Sequence, residues 1–122
     1  MSSAPRPAES SEPAVSTERK GSAVIAKVRV KLLDDNSLRL LSQLIDQSAG
    51  TEGVSTVIVD LSKVELLPSL GLGMLLQMST KCKSRQQSLK LACVQPKVRQ
   101  VFTITKLDRV FDLSDTVETA MQ

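Results

Sequence analysis

One serine in this 122-residue chain stands where a hydroxyl could take part in chemistry. It is Ser69, in the run Pro68-Ser69-Leu70-Gly71-Leu72-Gly73. Upstream lie the apolar run Val57-Ile58-Val59, Asp60 and a loop over Leu61–Pro68; downstream, Met74–Cys82 is apolar at helical spacing. That pattern is a buried strand handing over to a helix, with the hydroxyl beside helix N–H groups that no helical carbonyl satisfies. As a nucleophile Ser69 would need an activating base. The chain has no histidine, and no Lys or Cys stands at an activating spacing. Gly71-x-Gly73 is too short for a dinucleotide fingerprint and lacks the Lys-Ser/Thr of a phosphate-binding loop, so it reads as close packing of the helix on the sheet. Cys82 and Cys93 have neither metal-ligand spacing nor partner histidines, and read as free buried thiols in a helix and a strand. No catalytic residue, metal or cofactor is expected. The chemistry is done to Ser69, not by it.

The elements that must position Ser69 follow from periodicity. Ala14–Arg19 has weak strand character and Lys20-Gly21 can turn it back. Over Ala23–Leu32, Val24, Ala26, Val28, Val30 and Leu32 alternate with Ile25, Lys27, Arg29 and Lys31, the period of a half-buried strand. Its outer row of cations suits a sheet edge. Asp34-Asp35-Asn36 offers N-caps for a helix over Ser37–Gln47, with Leu38, Leu41 and Ile45 as its apolar stripe. Val54–Asp60 reads as a strand covered on both faces. After Pro68 a helix turns Leu72, Leu75, Leu76 and Ser79 to one side. Leu89–Val94 is the next strand, and Pro96 opens a helix over Lys97–Lys106 whose inner face is Val98, Val101, Phe102 and Thr105. Val110–Leu113 closes the sheet, and Ser114 can cap a last helix with Asp115 in its first turn. Strands and helices alternate, which predicts an α/β domain with a mixed sheet of about four to five strands and four helices.

Composition bounds the function. The length allows one domain, Ala14–Gln122, behind a Ser-, Ala-, Pro- and Glu-rich segment, Met1–Pro13, expected to be a disordered tail. Its core must be aliphatic, since Phe102 and Phe111 are the only aromatic residues. No apolar run approaches the ~20 residues of a membrane span, and Met1–Lys20 does not resemble a signal peptide, so a cytoplasmic protein is expected. Between Leu66 and Leu107 seven basic residues (Lys81, Lys83, Arg85, Lys90, Lys97, Arg99, Lys106) meet no acidic one. They form either a solvated face or a surface for an acidic or phosphorylated partner. Nucleic acid is disfavoured, because no Tyr or Trp is present to stack on bases.

Ile58–Gly73, IVDLSKVELLPSLGLG, resembles the signature of STAS domains, the anti-sigma factor antagonist family: an apolar strand, Asp-Leu-Ser, a hydrophobic loop, then Asp-Ser-Ser/Thr-Gly-Leu-Gly. Leu89–Met121, LKLACVQPKVRQVFTITKLDRVFDLSDTVETAM, is similar to the family's following strand, helix and closing segment. The resemblance implies a STAS-type fold and a partner-switching role in bacterial transcription regulation. The unmodified domain would bind an anti-sigma factor that is also a serine kinase and so free a sigma factor. Phosphorylation of the serine that Ser69 matches would end that binding, and a phosphatase would restore it. The partner-facing positions so implied are Asp34, Pro68, Ser69, Leu70, Gly71 and Leu72. Two positions depart from the pattern: Pro68 stands where the family has Asp, and Leu70 where Ser, Thr or Ala is usual. The second function class is a STAS subunit docked constitutively on an ABC-type lipid transporter or another signalling assembly. Neither class needs membrane insertion, and a monomer or weak dimer is expected.

Overall fold

The structure is a computed structural model that describes residues 13–121. The expectation for the Met1–Pro13 segment therefore lies, apart from Pro13, outside the described residues. Five strands form one mixed sheet in the order β1-β2-β3-β4-β5. They are β1 (Val15–Lys20), β2 (Ala23–Val28), β3 (Thr56–Asp60), β4 (Ser88–Ala92) and β5 (Asp112–Ser114). The β1–β2 pair is an antiparallel hairpin turned at Gly21, whose φ of +60° suits a residue without a Cβ. Strands β2 to β5 run parallel. The helices are α1 (Asp35–Ala49), α2 (Ser69–Ser84), α3 (Pro96–Ile104) and α4 (Val117–Met121), with a 3-10 turn at Leu107–Arg109.

The sheet's two faces are filled unequally. Val24, Ala26, Val28, Val57, Val59, Leu89 and Leu91 point into the main core with Leu38, Leu41 and Ile45 of α1, Leu72, Leu75 and Met78 of α2, and Val98 and Phe102 of α3. The opposite face buries only Ala23, Ile25, Ile58 and Ala92 beneath Ala120 of α4. Val57, Ile58 and Val59 are fully buried, so β3 has the unbroken apolar run of a central parallel strand. The two aromatic rings meet edge to face, with centroids 5.5 Å apart, an arrangement worth about 0.5–1.5 kcal/mol beyond area burial. Gln87 ties the back of the domain: its buried Nε2 donates to the carbonyls of Ala49 and Val54, where α1 ends and the approach to β3 begins.

Four local expectations change. β2 stops at Val28 and lies second in the sheet, so it is not an edge; Ile25 on its outer row is buried by α4, and only its end carries the cations Lys27 and Arg29. Ser114 is the last residue of β5 and is buried, and Thr116 caps α4 instead, its Oγ1 accepting the Thr119 N–H at 3.0 Å. Asp115 consequently precedes α4 and faces Arg99. Thr105 follows α3 and is exposed, because the helix ends one residue earlier. Cys93 sits one residue beyond β4 with φ +59° and is half-buried, whereas Cys82 is buried within α2.

Candidate functional site

The segment between β3 and α2 is held from both sides, and that determines what reaches the surface. Leu61, Val64 and Leu67 plug into the core. The Leu61 N–H donates to the Ala92 carbonyl at 3.0 Å, and Gln95 Nε2 donates to the Ser62 carbonyl at 2.7 Å. On the other flank, the N–H groups of Glu65 and Leu66 donate to the Lys31 carbonyl, and that of Leu33 to the Leu66 carbonyl. A parallel bridge pairs Leu32 with Leu66. Each leucine doublet then sends one member each way: Leu33 and Leu67 are buried, while Leu32 is 45% and Leu66 is 61% exposed.

Ser69 is the first residue of α2 and is exposed. Pro68 precedes it in an extended conformation, φ −65° and ψ 157°, and makes no side-chain cap. The proline thus starts the helix by geometry alone, with its carbonyl accepting the Gly71 N–H at 2.9 Å. The unsatisfied N–H groups and the positive end of the helix dipole favour an anion at this terminus. Leu70 is 64% exposed beside it. Gly71 and Leu72 are buried and turn inward. A Cβ on Gly71 would lie 2.8 Å from Leu67 Cδ1 and 3.0 Å from Leu38 Cδ1, so a glycine is what lets α2 approach α1 there. A Cβ on Gly73 would meet nothing within 4 Å, and close packing therefore explains only the first glycine of the pair.

Asp34 is exposed and is the N-cap of α1. Its Oδ1 accepts the Ser37 N–H at 2.9 Å, and that backbone hydrogen bond holds its carboxyl below the usual Asp range. It follows Leu32 and Leu33, the segment joined to Leu66, so the fold places Asp34 and Ser69 on linked stretches of one sheet edge. Leu32 and Leu66 belong to that surface but were not among the residues singled out from the sequence. The signal available was the doublets, since neither Leu32-Leu33 nor Leu66-Leu67 can bury both members in an extended segment.

Much of the basic run is internally compensated. Arg85 and Lys81 pair with Asp46 of α1 at 3.0 and 3.3 Å, Arg99 with Asp115 at 3.4 Å, and Lys90 lies 3.9 Å from Asp112. A solvated, cross-linked face is therefore the better description of these residues. Among the described residues no three His, Cys, Asp or Glu side chains gather as a metal site. No described helix is long and apolar enough to cross a membrane.

A small mixed-sheet α/β domain with an exposed serine at an uncapped helix start, ringed by exposed leucines, defines a docking module. The family model for the STAS domain matches residues 14–120, and the chain belongs to that family. Its fold is similar to that of an anti-sigma factor antagonist from Mycobacterium paratuberculosis, with 24% identity, a TM-score of 0.74, and coverage of 88% of this chain and 89% of the other. It is equally similar to the anti-sigma factor antagonist SpoIIAA in its unphosphorylated form (21% identity, TM-score 0.74, coverage 88% and 93%), a protein whose Bacillus form has also been solved phosphorylated. The murine anion transporter Slc26a9 contains a similar region, with 14% identity and a TM-score of 0.72 over 85% of this chain and 18% of the transporter. At these identities the likeness is one of fold.

Proposed function

We propose that this chain is an anti-sigma factor antagonist whose docking surface is the edge formed by Asp34, Pro68, Ser69 and Leu70, with Gly71 and Leu72 setting the position of the helix start. It acts by binding, in the cytoplasm, as a monomer or weak dimer. Its partner is an anti-sigma factor that is also a serine kinase; occupying that protein releases a sigma factor, and phosphorylation of Ser69 ends the binding until a phosphatase reverses it. The observation that carries this reading is the exposed Ser69 at a helix start with no side-chain cap, among the exposed Leu32, Leu66 and Leu70. A phosphate there adds ~1.5–2 negative charges. The helix terminus tolerates it, while an apolar partner surface packed on those leucines does not.

The test is intact mass after incubation with ATP and candidate serine kinases, for wild type and Ser69→Ala. A single phosphate on wild type that Ser69→Ala loses is expected, and equal modification of both sinks the switch. Ser69→Asp should abolish anti-sigma binding with the unfolding temperature nearly unchanged. A second reading rests on Leu70, which makes the site more apolar than a serine or threonine would. On that reading the chain docks constitutively on a larger assembly such as an ABC-type lipid transporter, Ser69→Asp still weakens docking, and no kinase modifies wild type.

A further inference from the structure

The carboxyl ends of β2 and β3 frame a cavity of about 430 Å³ lined by Lys27, Val28, Arg29, Asp60, Ser62 and Lys63. A second cavity, of about 340 Å³, adjoins it through Lys27 and Asp60. Both open on the thinly covered face of the sheet, where α4 packs chiefly against β3, β4 and β5. In open α/β sheets the crevice outside the carboxyl ends of parallel strands is where ligands bind. The lining sets three cations against one carboxylate. Arg29 is oriented by donating from Nη1 to Ser16 Oγ at 2.7 Å. Lys27 has the Glu18 carboxylate 3.9 Å away on β1, and Lys63 is exposed on the loop. Asp60 lies opposite Lys27 in the strand register, and its Oδ1 accepts the Ser62 N–H at 2.9 Å.

This composition selects a particular kind of anion. Lys27, Arg29 and Lys63 attract an oxyanion, with charge-assisted hydrogen bonds from nitrogen donors. Asp60 repels it unless the ligand brings a proton of its own for the carboxylate to accept. Inorganic phosphate at neutral pH carries a P–O–H group; sulfate carries none. We propose that this cavity is a phosphate-type site, in which the three cations hold the charge and Asp60 accepts the ligand's hydroxyl proton in a hydrogen bond. It is independent of the docking reading of Ser69.

The experiment titrates the isotope-labelled full chain with inorganic phosphate, and separately with sulfate, at ionic strength fixed with chloride, and follows amide chemical shifts. Saturable shifts centred on residues 27–29 and 60–63 are expected. A hydrogen bond to a charged group implies phosphate binding at least ~10-fold tighter than sulfate. Asp60→Asn, which can still accept the Ser62 N–H, should bring the two anions to near-equal affinity. Lys27→Gln with Lys63→Gln should remove saturation in a spectrum that stays dispersed. Lack of saturation with phosphate, equal affinities in wild type, or binding that survives loss of both lysines overturns the site. One more arm uses Glu9→Gln with Glu12→Gln, because those carboxylates shortly precede Pro13, whose carbonyl lies 3.5 Å from Arg29 Nη1. Tighter phosphate binding in that variant supports the site with the chain's own acids as competitors. Saturation seen in that variant alone overturns it, by giving the cations to those carboxylates.

Discussion

Alanine placed at Gly71 and at Gly73 should move stability in opposite directions, and the size of the split follows from the space around each position. An alanine within a helix gains up to ~0.5–1 kcal/mol over glycine, through the conformational entropy of the unfolded chain and the helical backbone. At Gly73 nothing lies within 4 Å of the added Cβ, so the gain should be realised. At Gly71 the Cβ would stand 2.8 Å from Leu67 Cδ1 and 3.0 Å from Leu38 Cδ1, and those leucines are 7% and 1% exposed. Displacing buried side chains in this way costs about 1–3 kcal/mol, which outweighs the helical gain and leaves a net loss on the order of 1 kcal/mol. The two variants should then differ by about 2 kcal/mol, or roughly 8 °C in melting temperature for a domain of this size. Urea melts followed by the helical circular-dichroism band suit a chain with no Trp or Tyr. The midpoints should separate while the slopes stay equal. If Gly71→Ala stabilises as much as Gly73→Ala, Leu67 swings aside freely and the α1–α2 approach is not what constrains that glycine.

Three further outcomes follow. Asp34→Ala should lower the melting temperature through loss of the α1 cap, whereas Asp34→Asn should retain most of it. Because the Ser37 N–H depresses the folded pKa of Asp34, its contribution is present above the ordinary Asp value and is lost as pH falls below about 4 through the folded value; a melting-temperature profile of Asp34→Asn should be flatter there. At Asp46 burial pushes the pKa up, but hydrogen bonds from Arg85 and Lys81 prevail and lower it, so Asp46→Asn should cost about 0.5–1 kcal/mol at low salt and much less near 1 M. Burial raises the pKa of both thiols, with Asp60 adding to the effect at Cys93. A disulfide reagent should therefore label neither quickly at neutral pH, should reach half-buried Cys93 first as pH rises, and should label Cys82 only in urea; rapid native labelling of Cys82 refutes its burial.

What could be read from the sequence was whatever a periodicity fixes. The Val57–Val59 run, the stripe of Leu38, Leu41 and Ile45, and Pro96 at a helix start each depend on local spacing, and each lies where that spacing puts it. Non-local coverage was not legible. Lys27, Arg29 and Lys31 read as the outer row of an edge strand, because nothing near them in sequence announces that β1 would take the edge and α4 would cover Ile25. Ser114 looked like a cap because serine commonly is one, yet Thr116 stands two residues nearer the turn that forms. The helix start at Ser69 was evident from Pro68 onward. The leucines beside it emerged only once the Leu32–Leu66 bridge brought two distant doublets together.

The proline before Ser69 bears directly on the proposed switch. An aspartate at position 68 could cap α2 by accepting one of its first N–H groups, and its charge would stand next to any phosphate on Ser69. Pro68 keeps the helix start through its fixed φ, but it offers neither the hydrogen bond nor the charge. The unmodified terminus is then electropositive and faces an apolar surface, and a phosphate would meet open N–H groups with no carboxylate beside it. Replacing Asp with Pro thus widens the electrostatic contrast between the two states of Ser69 while removing the cap. Pro68→Asp should separate these effects. It should stabilise the unphosphorylated chain by about 1 kcal/mol through the cap, and lower the unfolding temperature gained when Ser69 carries a phosphate. A Pro68→Asp chain whose phosphorylated form is as stable, relative to its unphosphorylated form, as wild type would show that the helix terminus is not what receives the charge.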